Sequence, residues 1–395
     1  MTNSYDIAVL PGDGIGPEVI GCALEVLDAA EARFGFSTQR STIAAGAAHY
    51  LETGELFDAV EPRLRGRDAI LFGSMGDPRV TPGILERGFI LEMRQRLQQA
   101  ANVRPVRLYP GVPTPISGLT PERCDMVIVR ENTEGAYVGR GSTVHAGTPN
   151  AVAMQESLNT RAGIERVVDF SLRLALGRRK KLTLVHKTNI LVAAGQLWQQ
   201  VVAEVGERYP EVEIDYVHVD AMCFHLPLTP ERFDVVVTDN LFGDIITDLG
   251  AVIQGGLGVA TSANLNLDGN APSMFEAIHG SAPDIAGTGR ANPAGAILSL
   301  ALMLGHLGEG AAARAVEAAT VEVLGSLPEL SGAGMGTTTT EIGSRIAAVV
   351  RDGRADTALV PDSLLGALAG LAPSRLAPRS CPPRPAHREP HPVTR

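Results

Sequence analysis

Cysteine is scarce and scattered. Four residues in 395, Cys22, Cys124, Cys223 and Cys381, show no C-x-x-C spacing. That argues against a zinc site and against a disulfide framework, and it fits a reduced, cytoplasmic setting. Long apolar runs are missing too. The longest candidate, AILSLALMLGHL from Ala296, is shorter than the roughly 18 residues of a membrane span. The first residues, MTNSYDIAVL, lack a basic segment and a long apolar core, so no secretory signal is predicted. Positive charge is also in short supply: 34 Lys and Arg stand against 44 Asp and Glu, a net charge of −10. Nucleic acid is disfavoured as a partner. An anionic substrate would need a local arginine cluster working against the overall field.

The dinucleotide fingerprint G-x-G-x-x-G is absent from the place where it would be sought. In YDIAVLPGDGIGPEV, Tyr5 to Val19, the glycines are Gly12, Gly14 and Gly16. Pro17 suits a first helical position, but Glu18 sets a carboxylate where pyrophosphate would sit. The stretch that should carry a ribose-binding acid reads FSTQRSTIAAG. These glycines instead predict a tight turn and close backbone approach at the end of a strand, in a crevice of the kind that holds ligands in open α/β sheets.

What the chain does have is alternation. DIAVL, DAILFG, DMVIVR, KLTLVHK and FDVVVTDN read as strands, with helical stretches such as EVIGCALEVLDAAEARFG and GIERVVDFSLRLALGRRKK between them. The class is α/β, and 45% hydrophobic residues suffice for a sizeable core. A Pro-rich crossing, Val103 to Gly118, and a Gly-rich one after Val252 predict two domains. Residues 1–103 with 256–371 form the first, and 104–255 the second. The tail 372–395, rich in Pro and Arg, cannot bury enough apolar surface to order itself.

Five stretches carry chemistry. In TDNLFGDIITDLG, Asp244 and Asp248 stand four apart. On a helix, like charges at that spacing repel by roughly 0.2–0.5 kcal/mol, which asks for a cation. Oxygen ligands favour Mg²⁺ or Mn²⁺; two solvated aspartates near a helix N-terminus read equally well. RENTEGAYVGRG puts Arg130 and Glu131 at a strand's exit, with Tyr137 either a general acid or a ring packed under a loop. Lys187 in LVHKTNIL is a base with a lowered pKa or a surface lysine. Arg94, Arg96 and Arg104 offer guanidinium forks for carboxylates. MFEAIHGSAPDIAGTGRANPAGA, Met274 to Ala296, is rich in small residues that let a flat ligand approach the backbone. Its Asp284 can accept from a ribose diol, and its His279 is catalytic or structural.

Together, LPGDGIGPEV, VDAM, FDVVVTDNLFGDIITDL and EAIHGSAPDIAGTGRANP resemble the β-decarboxylating dehydrogenases, the isocitrate/isopropylmalate family. The resemblance runs from Ile7 to Val350. ERGFILEMR, RLYPG, LTLVHKTN and the loop after GAYVG make it a resemblance to the isopropylmalate branch in its actinobacterial form. It implies an α/β, two-domain isopropylmalate-dehydrogenase-like fold, with a mixed central sheet flanked by helices rather than a Rossmann sheet. It also implies oxidative decarboxylation of a 3-alkylmalate with NAD and Mg²⁺ or Mn²⁺, in a homodimer with shared sites.

By the same resemblance, Arg94, Arg104 and Arg130 clamp two substrate carboxylates. Asp244 and Asp248, with Asp220 of the partner chain, ligate the metal. Lys187 of the partner subunit, with Asp220, is the base and Tyr137 the acid. Ile90, Leu91 and Ile190 line an apolar pocket for the substituent on C3, where isocitrate enzymes present Ser and Asn. Ile15, Glu86, Asn189, Glu276, His279, Gly280, Ser281, Ala282, Asp284, Ile285 and Asn292 meet the cofactor. Asp284 and Ile285 favour NAD over NADP. Two departures bear on the pocket: Phe89 bears on its volume, and Glu92 faces either solvent or the pocket. A different malate (tartrate, D-malate or another 3-alkylmalate) is the alternative substrate, because one methylene is worth only ~1–3 kcal/mol. A binding or regulatory homologue without chemistry is the remote alternative; retention of Lys187, Tyr137 and the three aspartates speaks against it.

Overall fold

The apolar runs become strands because their alternating side chains are covered on both sheet faces. The computed structural model describes residues 3–360 and Leu368. The tail 372–395 therefore lies outside the described residues. Among those described there are twelve strands. They are β1 (Ser4–Gly12), β2 (Ser37–Thr42), β3 (Ala69–Ser74), β4 (Ala101–Arg107), β5 (Asp125–Glu131), β6 (Gly141–Val144), β7 (Val152–Gln155), β8 (Lys181–His186), β9 (Glu213–His218), β10 (Val235–Thr238), β11 (Thr261–Leu265) and β12 (Ser273–Ala277).

Ten of them make one sheet in the order β2-β1-β3-β12-β11-β4-β5-β10-β8-β9, and β6 and β7 form a separate ribbon. Both flanks pair in parallel. The centre does not: β11 runs antiparallel to β12 and to β4, and β4 antiparallel to β5. A mixed sheet results, as the sequence implied. The Pro-rich crossing begins in β4, and the Gly-rich one leads into β11, so both meet in the two central neighbours.

AILSLALMLGHL lies in the helix Ala294–His306, of which every residue from Ala294 to Gly305 is buried. A helix apolar on all sides belongs in a core, and none of the described helices is long and apolar enough to cross a membrane. A buried ionic knot fastens β4 to the helix Gly310–Leu324. There Arg107 pairs with Glu317 and Asp125, each at 3.1 Å, and Tyr109 donates to Glu317 at 2.8 Å.

The glycines of the first loop are explained by backbone contact. Gly12 and Gly14 have φ of +71° and +57°, and a Cβ on them would sit 1.8 Å from the Ser74 carbonyl and 1.9 Å from the Ser281 carbonyl. Asp13 and Ile15 donate their N–H groups to those same carbonyls, each at 2.8 Å. The loop is thus clasped between the end of β3 and the segment after β12.

Asp13, buried within that loop, accepts from the N–H groups of Ala47 (2.6 Å), Ala48 (3.1 Å) and Gly76 (2.9 Å). Its carboxylate caps the helix Ala47–Thr53, whose own N-cap, Gly46, has no side chain to do so. Asp13→Ala is expected to lower unfolding stability by about 2 kcal/mol, the upper end for a lost cap. Asp13→Asn is expected to lose less. Denaturant midpoints check this, and an unchanged midpoint in Asp13→Ala would refute it.

Candidate functional site

Strand ends and one helix build the site. The helix Asn240–Ile253 starts just past β10, and Asp239 caps it by accepting from the Phe242 N–H at 2.8 Å. Its α-helical spacing stacks Asp244 and Asp248 on one face. Arg130 leaves the end of β5 and is 1% exposed. Its Nε and Nη2 donate to Asn240 Oδ1 at 3.1 and 2.7 Å, and its Nη1 pairs with Asp244. Tyr137, in the short turn Ala136–Val138, lies under the Arg130 guanidinium, 5.1 Å from ring centroid to charge. Its hydroxyl donates to Asp244 Oδ2 at 2.6 Å.

Arg104, on β4, donates from Nε to Asn102 Oδ1 at 2.7 Å and from Nη1 to Thr247 Oγ1 at 2.6 Å. It lies 3.7 Å from Asp244 and 3.8 Å from Asp248. Arg94 approaches from the helix Glu92–Arg96, itself continuous with a π-helical turn over Glu86–Leu91. Its Nη2 reaches Glu276 Oε1 at 3.2 Å, while its buried Nε has no partner. An unanswered guanidinium edge in a buried setting fits an incoming carboxylate.

The electrostatics follow from this crowding. Burial, then the neighbouring Arg130, pulls Arg104 down to about 10. Burial works to raise Asp244, but the Arg130 charge and the Tyr137 and Arg104 contacts outweigh it and hold the carboxyl below its usual range. Asp248 goes the other way, raised by burial and by Asp244, although Arg104 counters. Burial and the bond to Asp244 raise Tyr137, which keeps its proton. Two carboxylates on one face, the outer one raised by burial and then by its neighbour, form a donor set that a hard cation would relieve.

Lys187 and Asp220 form a pair of their own, Nζ to Oδ1 at 2.6 Å. That bond, first among the causes, lowers Asp220. Among the described residues Lys187 bonds to none of the arginine cluster, and no three His, Cys, Asp or Glu side chains form a metal-binding group. Ile190, three residues on, is 67% exposed. Ile90 and Leu91 are half-buried, four and three residues before Arg94.

Two neighbours fall away from this group. Phe89 is buried edge-on to Phe57, ring centroids 5.7 Å apart, so it serves the core rather than the pocket. Glu92 is half-exposed and lies 3.8 Å from Arg96, which also binds Asp58 and Glu61. That leaves Arg96 a surface partner and no part of the clamp.

The segment after β12 lies against the first loop through Ile15 and Ser281. Gly280 and Asp284 are exposed, and Ser281, Ala282 and Ile285 half-exposed. His279 is lowered by burial, and its Nε2 is buried without a partner. Such an orphaned polar atom fits a ligand on this segment. Glu86, exposed, accepts from the Gly83 N–H at 2.8 Å, and Asn189 is exposed beside Lys187. Asn292 is buried, donating to the Leu330 carbonyl and accepting from the Ala294 N–H, each at 2.9 Å. Glu276 is buried beneath Arg94, where it also accepts from Asn264 Nδ2 at 2.7 Å.

Sequence reasoning missed Asn102, Asn132, Asn240, Thr247 and Asn264, all buried and all bonded within this group. The available signal was a polar residue inside an otherwise buried strand, as in AANVRPV and TSANLNL, because such a residue needs a partner.

The comparisons agree with this geometry. The model of the isocitrate/isopropylmalate dehydrogenase family matches residues 6–346. The 3-isopropylmalate dehydrogenase of Thermobifida fusca is 53% identical over 343 residues, covering 86% of this chain and 96% of that protein. The one from Nocardia farcinica is 51% identical over 345 residues, 87% and 99% of the two chains. Among solved structures, isocitrate dehydrogenase from Methylococcus capsulatus matches with a TM-score of 0.79 at 36% identity, over 88% of this chain and 99% of the other. The TT0538 protein from Thermus thermophilus matches with a TM-score of 0.77, also at 36% identity, over 87% of this chain and 68% of the other. The resemblance read in LPGDGIGPEV and EAIHGSAPDIAGTGRANP is borne out over nearly the same span: the chain belongs to the isocitrate/isopropylmalate dehydrogenase family.

Proposed function

We propose that the chain catalyses the oxidative decarboxylation of 3-isopropylmalate to 4-methyl-2-oxopentanoate, a step of leucine biosynthesis, with NAD and a divalent cation. One observation carries the reading. Buried Arg104 and Arg130 meet Asp244 beside Tyr137 and Asp248, the charge of buried Arg94 acts on Asp244 and Tyr137, and Ile90 and Leu91 precede Arg94 on the adjoining turn. A dianionic head meets the arginines and an alkyl substituent meets the two aliphatic side chains. A third carboxylate at that position would find no cation among Ile90, Leu91 and Ile190, which disfavours isocitrate. Relatives named 3-isopropylmalate dehydrogenase support the same reading.

Asp244 and Asp248, with Asp220 of a second copy, would hold Mg²⁺ or Mn²⁺. When bound, the cation acidifies the 2-hydroxyl and steadies enolate charge. Arg94, Arg104 and Arg130 orient the two carboxylates, so that the C3 carboxylate is set to leave as CO₂. Lys187, relayed by Asp220, takes the hydroxyl proton as the hydride leaves C2 for NAD. Tyr137, holding its proton at pH 7, delivers it to C3 after carbon dioxide departs.

A homodimer is part of the proposal. Phe224 and Leu228 on one helix and Leu241, Ile245 and Val252 on the next are exposed, as are Ile190 and Val192 beside Lys187. Apolar side chains gathered this way mark a contact surface, and a second copy would cover them while supplying Lys187 and Asp220. The two-domain division at 103/104 and 255/256 and a cytoplasmic location complete the reading.

A substrate panel tests it. With NAD⁺ and Mn²⁺, NADH formation is expected to be most efficient with 3-isopropylmalate and weaker with 3-ethylmalate. Malate, tartrate and isocitrate are expected to lag well behind. Preference for isocitrate or tartrate would overturn the substrate assignment, and no NADH from any of the five would favour a binding homologue.

A further inference from the structure

Asn264, on the central strand β11, is fully buried and bonds in three directions. Its Oδ1 accepts from Asn102 Nδ2 at 2.7 Å and from Asn132 Nδ2 at 2.9 Å. Its Nδ2 donates to Glu276 Oε1 at 2.7 Å. Glu276 accepts from Arg94 Nη2 at 3.2 Å, and Asn102 Oδ1 accepts from Arg104 Nε at 2.7 Å. An unbroken buried chain therefore runs Arg94–Glu276–Asn264–Asn102–Arg104. The register supports it, since Asn264 lies opposite Asn102, and Asn102 opposite Arg130, across β11, β4 and β5.

We propose that Asn264 is the positioning residue of the carboxylate clamp, setting the separation and tilt of Arg94 against Arg104 so that they grip a dicarboxylate. This rests on the malate-type substrate proposed above. The chemistry at this position is demanding. One edge of the side chain faces two N–H donors and the other faces a carboxylate. A neutral amide is acceptor on one edge and donor on the other, and these partners settle its orientation. Fully satisfied buried networks hold a unique arrangement. Here that arrangement keeps two like charges apart before substrate arrives, so binding need not order them.

The decisive variant is Asn264→Asp, which keeps the shape and reverses the donor. The introduced carboxylate and that of Glu276 would then meet oxygen to oxygen, and such a pair retains one proton. KM for 3-isopropylmalate is expected to rise about tenfold, with kcat and KM for NAD⁺ within about twofold, because binding alone is lost. The added KM is expected to shrink as pH falls from about 8 to 6, as the shared proton restores the bond. Asn264→Ala removes both edges of the amide without adding a charge, and is expected to raise KM for 3-isopropylmalate with no recovery at low pH.

A merely structural role predicts otherwise: lowered thermal stability, KM for both substrates moving together, and no pH-dependent recovery. That pattern, or the same recovery at low pH in Asn264→Ala, would overturn the inference. Calorimetric binding of 3-isopropylmalate to the wild-type enzyme separates the two levels. If it binds and is turned over while Asn264→Asp leaves KM unchanged, the inference alone falls. If wild type neither binds nor oxidises it, the proposed function falls and the inference with it.

Discussion

Lys187→Ala and Asp248→Asn are each expected to be nearly inactive alone and to regain activity when their chains are mixed. Among the described residues the Lys187 side chain bonds to Asp220 and to none of the arginine cluster of its own chain. If it serves the partner's site, a hybrid dimer pairs an intact Asp248 with an intact Lys187 at one of its two sites. Loss of a proton-transfer group costs about 10²–10⁴ in kcat, and loss of a carboxylate ligand weakens the hold on the cation that acidifies the hydroxyl, so each parent is nearly silent. Equal mixing gives hybrids as half of all dimers, each with one working site, or roughly a quarter of wild-type activity. Asp248 suits the test better than Asp244. Its side chain is 63% exposed, and Arg130 keeps Asn240 and Asp244 when Asp248 is replaced. Hybrids shown to form by native mass spectrometry, yet no more active than the parents, would rule out the shared site.

The parts of the molecule legible in the sequence are those whose pattern is apolar. β1, β3, β5, β8 and β10 announce themselves because both sheet faces are covered and their runs are uniformly hydrophobic. β2, β4 and β11 do not. β2, STQRST, is an edge strand of half-exposed polar residues and offers no apolar run to read. β4 carries Asn102, Arg104, Pro105 and Arg107 in seven residues, and β11 carries Ser262 and Asn264. Their polar side chains are buried against one another, and such pairing across strands leaves no periodic trace in a single strand. The site followed the same division. Asp244 and Asp248 could be placed on one helical face from their spacing. Arg94 and Arg104 could be joined through the resemblance alone, since the residues around that link come from four separate segments: β4, the end of β5, β11 and β12. The first loop shows a third case, where the close backbone approach was legible in the glycines and its partners were not. They admit the carbonyls of Ser74 and Ser281, from segments far along the chain.

NAD⁺ is expected to exceed NADP⁺ in kcat/KM by at least about a hundredfold, or roughly 2.7 kcal/mol. The argument starts from Asp284, which is exposed and, among the described residues, has no hydrogen-bond or ion-pair partner of its own. The segment that carries it is tied to the first loop by the bond from Ile15 to Ser281, three residues earlier. A free carboxylate held in that way can accept from both hydroxyls of an adenosine ribose, each charge-assisted bond contributing ~1.5–3 kcal/mol. A 2′-phosphate removes one of those donors and brings close to two negative charges against Asp284. The chain, at net −10, adds repulsion rather than relief. Nor does the next residue help, since Ile285 is aliphatic and half-exposed. Asp284→Lys with Ile285→Tyr supplies a cation and a hydroxyl at the two positions, and is expected to narrow or reverse the ratio, mostly through KM. Salt provides an independent check: the wild-type penalty against NADP⁺ is expected to shrink as ionic strength rises, because repulsion between exposed charges is screened. Equal use of both cofactors by the wild-type enzyme would mean that Asp284 does not face the ribose, and the dinucleotide would then have to lie elsewhere on the sheet's edge.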